Sequence, residues 1–245
     1  LQSLAHTISL VGKDGANIVK GKVGNTTSTF YPDPDVESTT VDGAVGRTGA
    51  DDLTWADLRV AAGNYAISAD AVESAFYFAA GATTDRYKNL VRGVFLFDTS
   101  SIPDTDTITS ATLSLYGSTK SDDMVASPVC DIYTSSPATN TDLVVGDYAQ
   151  VGTTSQTGSG ITYANLSTTA YNDFVFNATG IGNISKTGVS KFGARSVFDA
   201  DNVAPNWVSG GISSFRVIQA DTAGTSTDPK LVVVHSVAAV LSTIP

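Results

Sequence analysis

The sequence predicts an all-β protein: a two-sheet antiparallel jelly-roll-like β-sandwich with one or two short helices. Three observations carry this expectation. Runs of alternating apolar and polar residues recur along the 245 residues, and period-2 alternation marks a half-buried strand. Turn-forming clusters separate the runs at intervals of about 8 to 12 residues, the spacing of sandwiches and barrels. No repeat of about 20–50 residues breaks the chain, and no low-complexity linker does, so a single large domain is expected.

The stretch from Leu90 to Gly117 is the clearest. Arg92, Val94, Leu96 and Asp98 alternate with Val91, Gly93, Phe95 and Phe97. After a turn, Ala111, Leu113 and Leu115 alternate with Thr112, Ser114 and Tyr116. Ser100, Ser101, Pro103, Asp104 and Asp106 form the turn, and Pro103 has no amide proton to give to a ladder. Before this stretch, residues 53–64 read as a short helix. Thr54 caps it, Gly63 ends it, and Trp55, Leu58 and Ala62 share its buried face. Residues 38–47, 71–84, 129–135, 190–199, 213–222 and 229–236 read as strands, and residues 170–180 carry one with Phe174 and Phe176 on one face. Residues 119–127 read as a loop, and 144–148 and 180–188 as brief helical turns. Residues 1–29 form an N-terminal arm or added strands, 30–236 the sandwich, and 237–245 an apolar C-terminal tail.

The segment RGVFLFDTSSIPDTDTITSATLSLYG, Arg92 to Gly117, resembles the signature of the DNRLRE-domain proteins, which are related to a group of carbohydrate-binding modules. Thr39–Arg47 (TTVDGAVGR) is similar to that family's opening strand, and Asp228–His235 (DPKLVVVH) to its closing strand. The resemblance runs from about Tyr31 to His235. It implies a jelly-roll-like sandwich and a non-catalytic role in secreted enzymes, cell-surface proteins or phage-like structural proteins. It brings no catalytic residues with it.

Composition narrows the function. Net charge is −10, and charged residues make up 16% of the chain. No Lys/Arg cluster supplies the basic footprint of a nucleic-acid binder, and an anionic membrane surface repels such a chain. No apolar stretch is long enough to span a bilayer. A surface rich in Ser, Thr, Gly and Asn suits an extracellular, cell-surface or virion-surface setting. The single cysteine, Cys130, cannot form an internal disulfide and reads as a buried small hydrophobe. His6 and His235 are the only histidines, and no HExxH, P-loop, GxSxG or GxGxxG motif occurs, so no enzymatic activity is expected.

Three sets of residues are candidates for function. Thr7, Ile8, Ser9, Leu10 and Val11 alternate, and as an extended arm they would add a strand to a neighbouring subunit's sheet. That reading makes the chain a structural subunit of an extracellular filament, appendage or virion surface that associates with itself. Trp207, Trp55 and Tyr65 are candidate sugar contacts, with Tyr87 and Tyr163 behind them, for an alternative role as a carbohydrate-binding or adhesive module. Asp33, Asp35, Asp51 and Asp52 are candidate ligands for calcium, a hard cation that takes oxygen donors; no other cofactor is expected. Asn25, Asn165, Asn177 and Asn183 begin Asn-x-Ser/Thr sequons, as expected by chance in a chain of this composition.

Overall fold

The computed structural model describes residues 24–49 and 52–237. Among these, twelve strands and three short α-helices follow one another. They are β1 (Asn25–Phe30), β2 (Asp42–Arg47), α1 (Trp55–Val60), β3 (Tyr65–Ile67), β4 (Val72–Ala80), β5 (Tyr87–Asp98) and β6 (Asp106–Asp122). There follow β7 (Val129–Thr134), β8 (Ile161–Thr162), β9 (Tyr171–Val175), α2 (Ala178–Gly182), β10 (Val189–Ser196), α3 (Val197–Ala200), β11 (Ile212–Ile218) and β12 (Lys230–Val237). Every pairing between them is antiparallel. The fold is the expected all-β, sandwich-like one, a curled antiparallel sheet with little helix.

Two long strands carry the curl. The first half of β6 pairs with β12, from Asp106↔Val237 to Ser114↔Lys230. Thr112 to Tyr116 also pair with β9, and the second half of β6 pairs with β11, from Gly117↔Val217 to Asp122↔Ser213. Likewise β5 holds β4 against Tyr87–Arg92 and β10 against Gly93–Asp98, while β2 runs along Leu90–Phe95. The handover from β4 to β10 falls at Gly93, where a Cβ would lie 2.9 Å from the Phe95 ring and 3.1 Å from the Ala75 Cα. A residue without a side chain is what lets the backbones approach there.

The core explains the blurred alternation of β5. Val94, Phe95, Leu96 and Phe97 are all buried, because strands flank both edges of β5 and layers cover both faces, so successive residues have no solvent side. They join Phe76, Phe78, Leu113, Leu115, Phe174, Phe192, Phe215, Leu231 and Val233 in one core. Cys130 lies in this core, and burial pushes its thiol pKa up, as for an inert packing residue.

Several expected boundaries move. Residues 119–122, read as loop, continue β6, because β11 offers them a partner. Helix α1 starts as expected, with the Thr54 hydroxyl accepting from the Asp57 amide at 3.1 Å, and it buries Trp55 and Leu58. It ends at Ala61 rather than Gly63, and Ala62 is exposed. Gly63 is there for space: a Cβ would sit 2.1 Å from the Val145 carbonyl oxygen. Strand β3 adds to the expected elements, and the strand expected over residues 190–199 stops at Ser196, because Val197–Ala200 turn into α3 and bring Asp199 back to Arg195. The boundary drawn between residues 29 and 30 falls inside β1, which pairs with β12 along its whole length.

Buried charge ties the layers together. Arg92 on β5 and Arg195 on β10 each grip the Asp199 carboxylate of α3 with two hydrogen bonds. Arg92 does so at 2.8 and 2.9 Å, and Arg195 at 2.7 Å for both. Arg59 of α1 stands 3.3 Å from the same carboxylate. The Arg92 guanidinium also lies 4.0 Å from the Tyr148 ring centroid and donates to the Tyr148 carbonyl. Burial opposes ionisation of Asp199, but Arg92 and then Arg195 outweigh it and hold the carboxyl down at about 2. Asp199→Asn is expected to cost about 3–5 kcal/mol of unfolding free energy, because it strands two buried guanidinium groups. A urea titration of the folded variant checks this.

Candidate functional site

Three of the five aromatic candidates meet in one place. A groove of about 580 Å³ is lined by Thr54, Trp55, Asp85, Tyr87, Asn202, Asn206 and Trp207, among others. Helix α1 supplies its first wall, the turn before β5 the second, and the loop 201–208 the third. The rings contribute differently. Trp55 and Tyr87 are 3% and 2% exposed. The Trp55 indole donates to the Phe198 carbonyl at 3.1 Å and the Tyr87 hydroxyl to the Pro205 carbonyl. Their rings meet edge-on, 5.1 Å apart. Both are therefore floor and packing, which corrects the expectation that Trp55 offers a free face to a ligand. Trp207 is half-buried, and its indole N–H donates to the Arg86 carbonyl at 2.9 Å. That bond fixes the ring before any ligand arrives. Asp85, Asn202 and Asn206 are exposed around it.

Tyr65 lies apart from this groove. It lines a cleft of about 320 Å³ with Tyr77, Glu73, Asn89 and Arg216. Glu73 accepts from the Ser74 amide at 3.0 Å and stands 3.7 Å from Arg216. Burial, and then Glu73 beside it, push the Tyr65 hydroxyl pKa up. Tyr163 belongs to neither site; it is half-buried beneath the Lys120 ammonium, 4.7 Å from its ring centroid.

His235 is placed in an arrangement that the sequence did not reveal. Its Nδ1 lies 2.6 Å from the Asp106 carboxylate and its Nε2 lies 2.9 Å from the Ser28 hydroxyl. This is the order of a nucleophile, base and orienting acid. Ser28, however, sits within regular strand β1. Successive N–H groups of a strand point to opposite edges, so the amides of Ser28 and its neighbour do not converge on one point. The three side chains instead tie β1, β12 and β6 together. The histidine is buried with its strand neighbours Leu231 and Val233.

The candidate calcium ligands do not assemble. Among the described residues no group of three His, Cys, Asp or Glu side chains stands ready to hold a metal ion. Asp33 is occupied: one of its oxygens faces the Ser38, Thr39 and Thr40 amides and the Ser38 and Thr39 hydroxyls. Burial works against its charge, but these bonds outweigh it and hold the carboxyl at about 2. The Asp52 carboxylate accepts from the Ala82 and Thr83 amides. The Asp35 amide donates to Asp221 at 2.6 Å. Asp51 and Thr7–Val11 lie outside the described residues.

A second set of carboxyls behaves oppositely. Asp42 and Asp228 are buried, and Asp221 and Asp228 each have an oxygen without a hydrogen-bond partner. Burial first, and then repulsion from Asp221, push Asp228 up to about 6. Asp42 is raised well above the usual carboxylate range, by burial and then by Asp221 and Asp228. A carboxyl raised in the folded state stabilises below its unfolded pKa of about 3.9 and loses that contribution as pH rises through the folded value. Asp33 and Asp199 contribute above that unfolded value and lose it as pH falls towards 2. The melting temperature is therefore expected to peak near about pH 4, falling below it as Asp33 and Asp199 are protonated and falling above it, through about pH 6, as Asp228 ionises. Asp228→Asn should flatten the alkaline limb in a pH series of thermal melts.

Sequence reasoning missed Glu73, Arg216, Arg59, Arg195 and Asp199. Arg195 and Asp199 are four residues apart, but Arg59 and Arg92 reach them from distant parts of the chain, as Arg216 reaches Glu73, and there only the register brings the partners together. No family model matches the chain, and no curated protein shows significant similarity to it.

Proposed function

We propose that this chain is a non-catalytic surface module that binds a glycan in the groove beside Trp207. The observation that carries the reading is the convergence on that groove of a fixed, half-exposed indole with Asp85, Asn202 and Asn206. A sugar ring offers an apolar face and a rim of hydroxyls. An indole face and convergent carboxylate and carboxamide groups complement both. The groove lies within the usual range of ligand cavities, roughly 300–1,000 Å³. The resemblance of Arg92–Gly117 to modules related to carbohydrate-binding ones supports the same reading. A glycan array, followed by calorimetry on the best hit, tests it. Trp207→Ala is expected to weaken binding at least tenfold, about 1.4 kcal/mol. Asn206→Ala should weaken it too; because the Asn206 Nδ2 also donates to the Val125 carbonyl at 3.0 Å, binding is compared at a temperature where the variant is fully folded. An array on which the folded wild-type protein retains nothing removes this reading.

A second reading, a structural subunit joined by strand addition, is favoured by a different observation. Strands β1 and β9 each pair with one neighbour among the described residues. An open edge offers N–H and C=O groups to an extended segment. On β9, Val175 is 62% exposed, and the strand borders a hollow of about 360 Å³ with residues 157–161. Ile8 and Leu10 of another copy's arm would add about 1.5–3 kcal/mol each if fully buried there, in a heterologous, head-to-tail contact. Deletion of residues 1–24 should then abolish assembly seen by light scattering and electron microscopy. A full chain that stays monomeric at high concentration excludes this reading.

A further inference from the structure

The arginines around Asp199 do more than neutralise it. Arg59, Arg92 and Arg195 line a hollow of about 250 Å³ together with Val60 and Thr153. Three guanidinium groups face one carboxylate, so the cluster is cationic in a chain whose net charge is −10.

The donors can be followed one by one. A guanidinium has five N–H groups in a fixed fork. Arg195 commits all of them, to the Asp199 carboxylate and the Val151, Gly152 and Asp199 carbonyls. Arg92 gives all but one, an Nη1 hydrogen, to Asp199 and to the Tyr148 and Arg59 carbonyls. Arg59 gives only Nε, to the Asp199 carbonyl, and one Nη2 hydrogen, to the Ala200 carbonyl. Its Nη1 and second Nη2 hydrogen have no protein acceptor among the described residues. The Arg59 side chain retains 12% exposure, whereas those of Arg92 and Arg195 retain 3%. The remaining donors therefore lie mainly on the guanidinium nearest the mouth, with fixed positive charge below it.

We infer that this hollow is a binding site for a small oxyanion: a carboxylate, sulfate or phosphate group held by Arg59, with Arg92 and Arg195 as its electrostatic floor. Arginine forks suit such groups, because two parallel N–H donors match two oxygens. Asp199 uses part of the charge and fixes the forks, and the excess remains for the ligand. The inference does not rest on the glycan groove, which uses other residues.

The test is calorimetry of the full chain with sodium sulfate, sodium phosphate, glucuronate and glucose, each in sodium chloride at matched ionic strength. Saturable binding of at least one oxyanion is expected, and none of glucose. Glucuronate as the preferred ligand points to an acidic sugar, and sulfate or phosphate to the inorganic ion. Two variants locate the site. Arg59→Gln removes the donor, and Val60→Glu places a negative charge at the mouth from a residue that is 79% exposed. Both should weaken binding at least tenfold. Val60→Glu should keep the wild-type melting temperature in chloride, so a folding defect in Arg59→Gln leaves the test intact. Failure of all three oxyanions to bind the wild type overturns the inference, and so does full binding by either folded variant.

Discussion

The carboxylate of Asp199 is the point on which the architecture turns. An ionised carboxylate out of water is costly, and so is each guanidinium beside it. Here Arg92 and Arg195 come from neighbouring strands, β5 and β10, and Asp199 from the single turn of α3 that follows β10. Satisfying the charges fixes the strand pair, the turn and the covering layer together. Arg92 reaches the Tyr148 carbonyl and Arg195 reaches those of Val151 and Gly152, so segment 145–152 is held to the same point. Arg59 brings in α1. Apolar burial drives such a fold together without direction. The arginine forks add direction, because they accept few geometries.

That fixed layer is also what shapes the surface hollows. Helix α1 forms a wall of the Trp207 groove and contributes Arg59 to the cationic hollow. Trp55 packs under α1 against Phe78 and Tyr87, and Tyr87 in turn holds the loop 201–208 through the Pro205 carbonyl. The groove is thus preformed by buried aromatics, and only Trp207 is left half-open above them. Recognition by rigid walls loses less entropy on binding than recognition by mobile loops.

The acidic residues divide into two populations. Asp33 and Asp52 are capped by backbone amides of their own neighbourhoods, which favour the charge. Asp42, Asp221 and Asp228 share a region where burial and mutual repulsion disfavour it. A count of aspartates along the chain treats these as one acidic excess. Their opposite responses to pH follow from whether N–H donors or other carboxylates surround each of them.

The sequence by itself determined the all-β class, the existence of the two long strands β5 and β6, the Thr54 cap and the burial of Cys130. Each follows from local chemistry: period-2 alternation, a proline that cannot join a ladder, a hydroxyl placed to receive an amide, an apolar side chain between strand residues. Alternation is weakest in β5 because both of its faces are covered, and residues 119–122 read as a loop because their partner lies about 90 residues away in β11. Tertiary structure alone decided where the charges and rings converge. Trp55, Tyr87 and Trp207 share one groove while Tyr65 faces another cleft, and Arg59, Arg92, Arg195 and Asp199 meet from four separate elements. No local pattern encodes such meetings, since they depend on strand register and on which layer each helix covers.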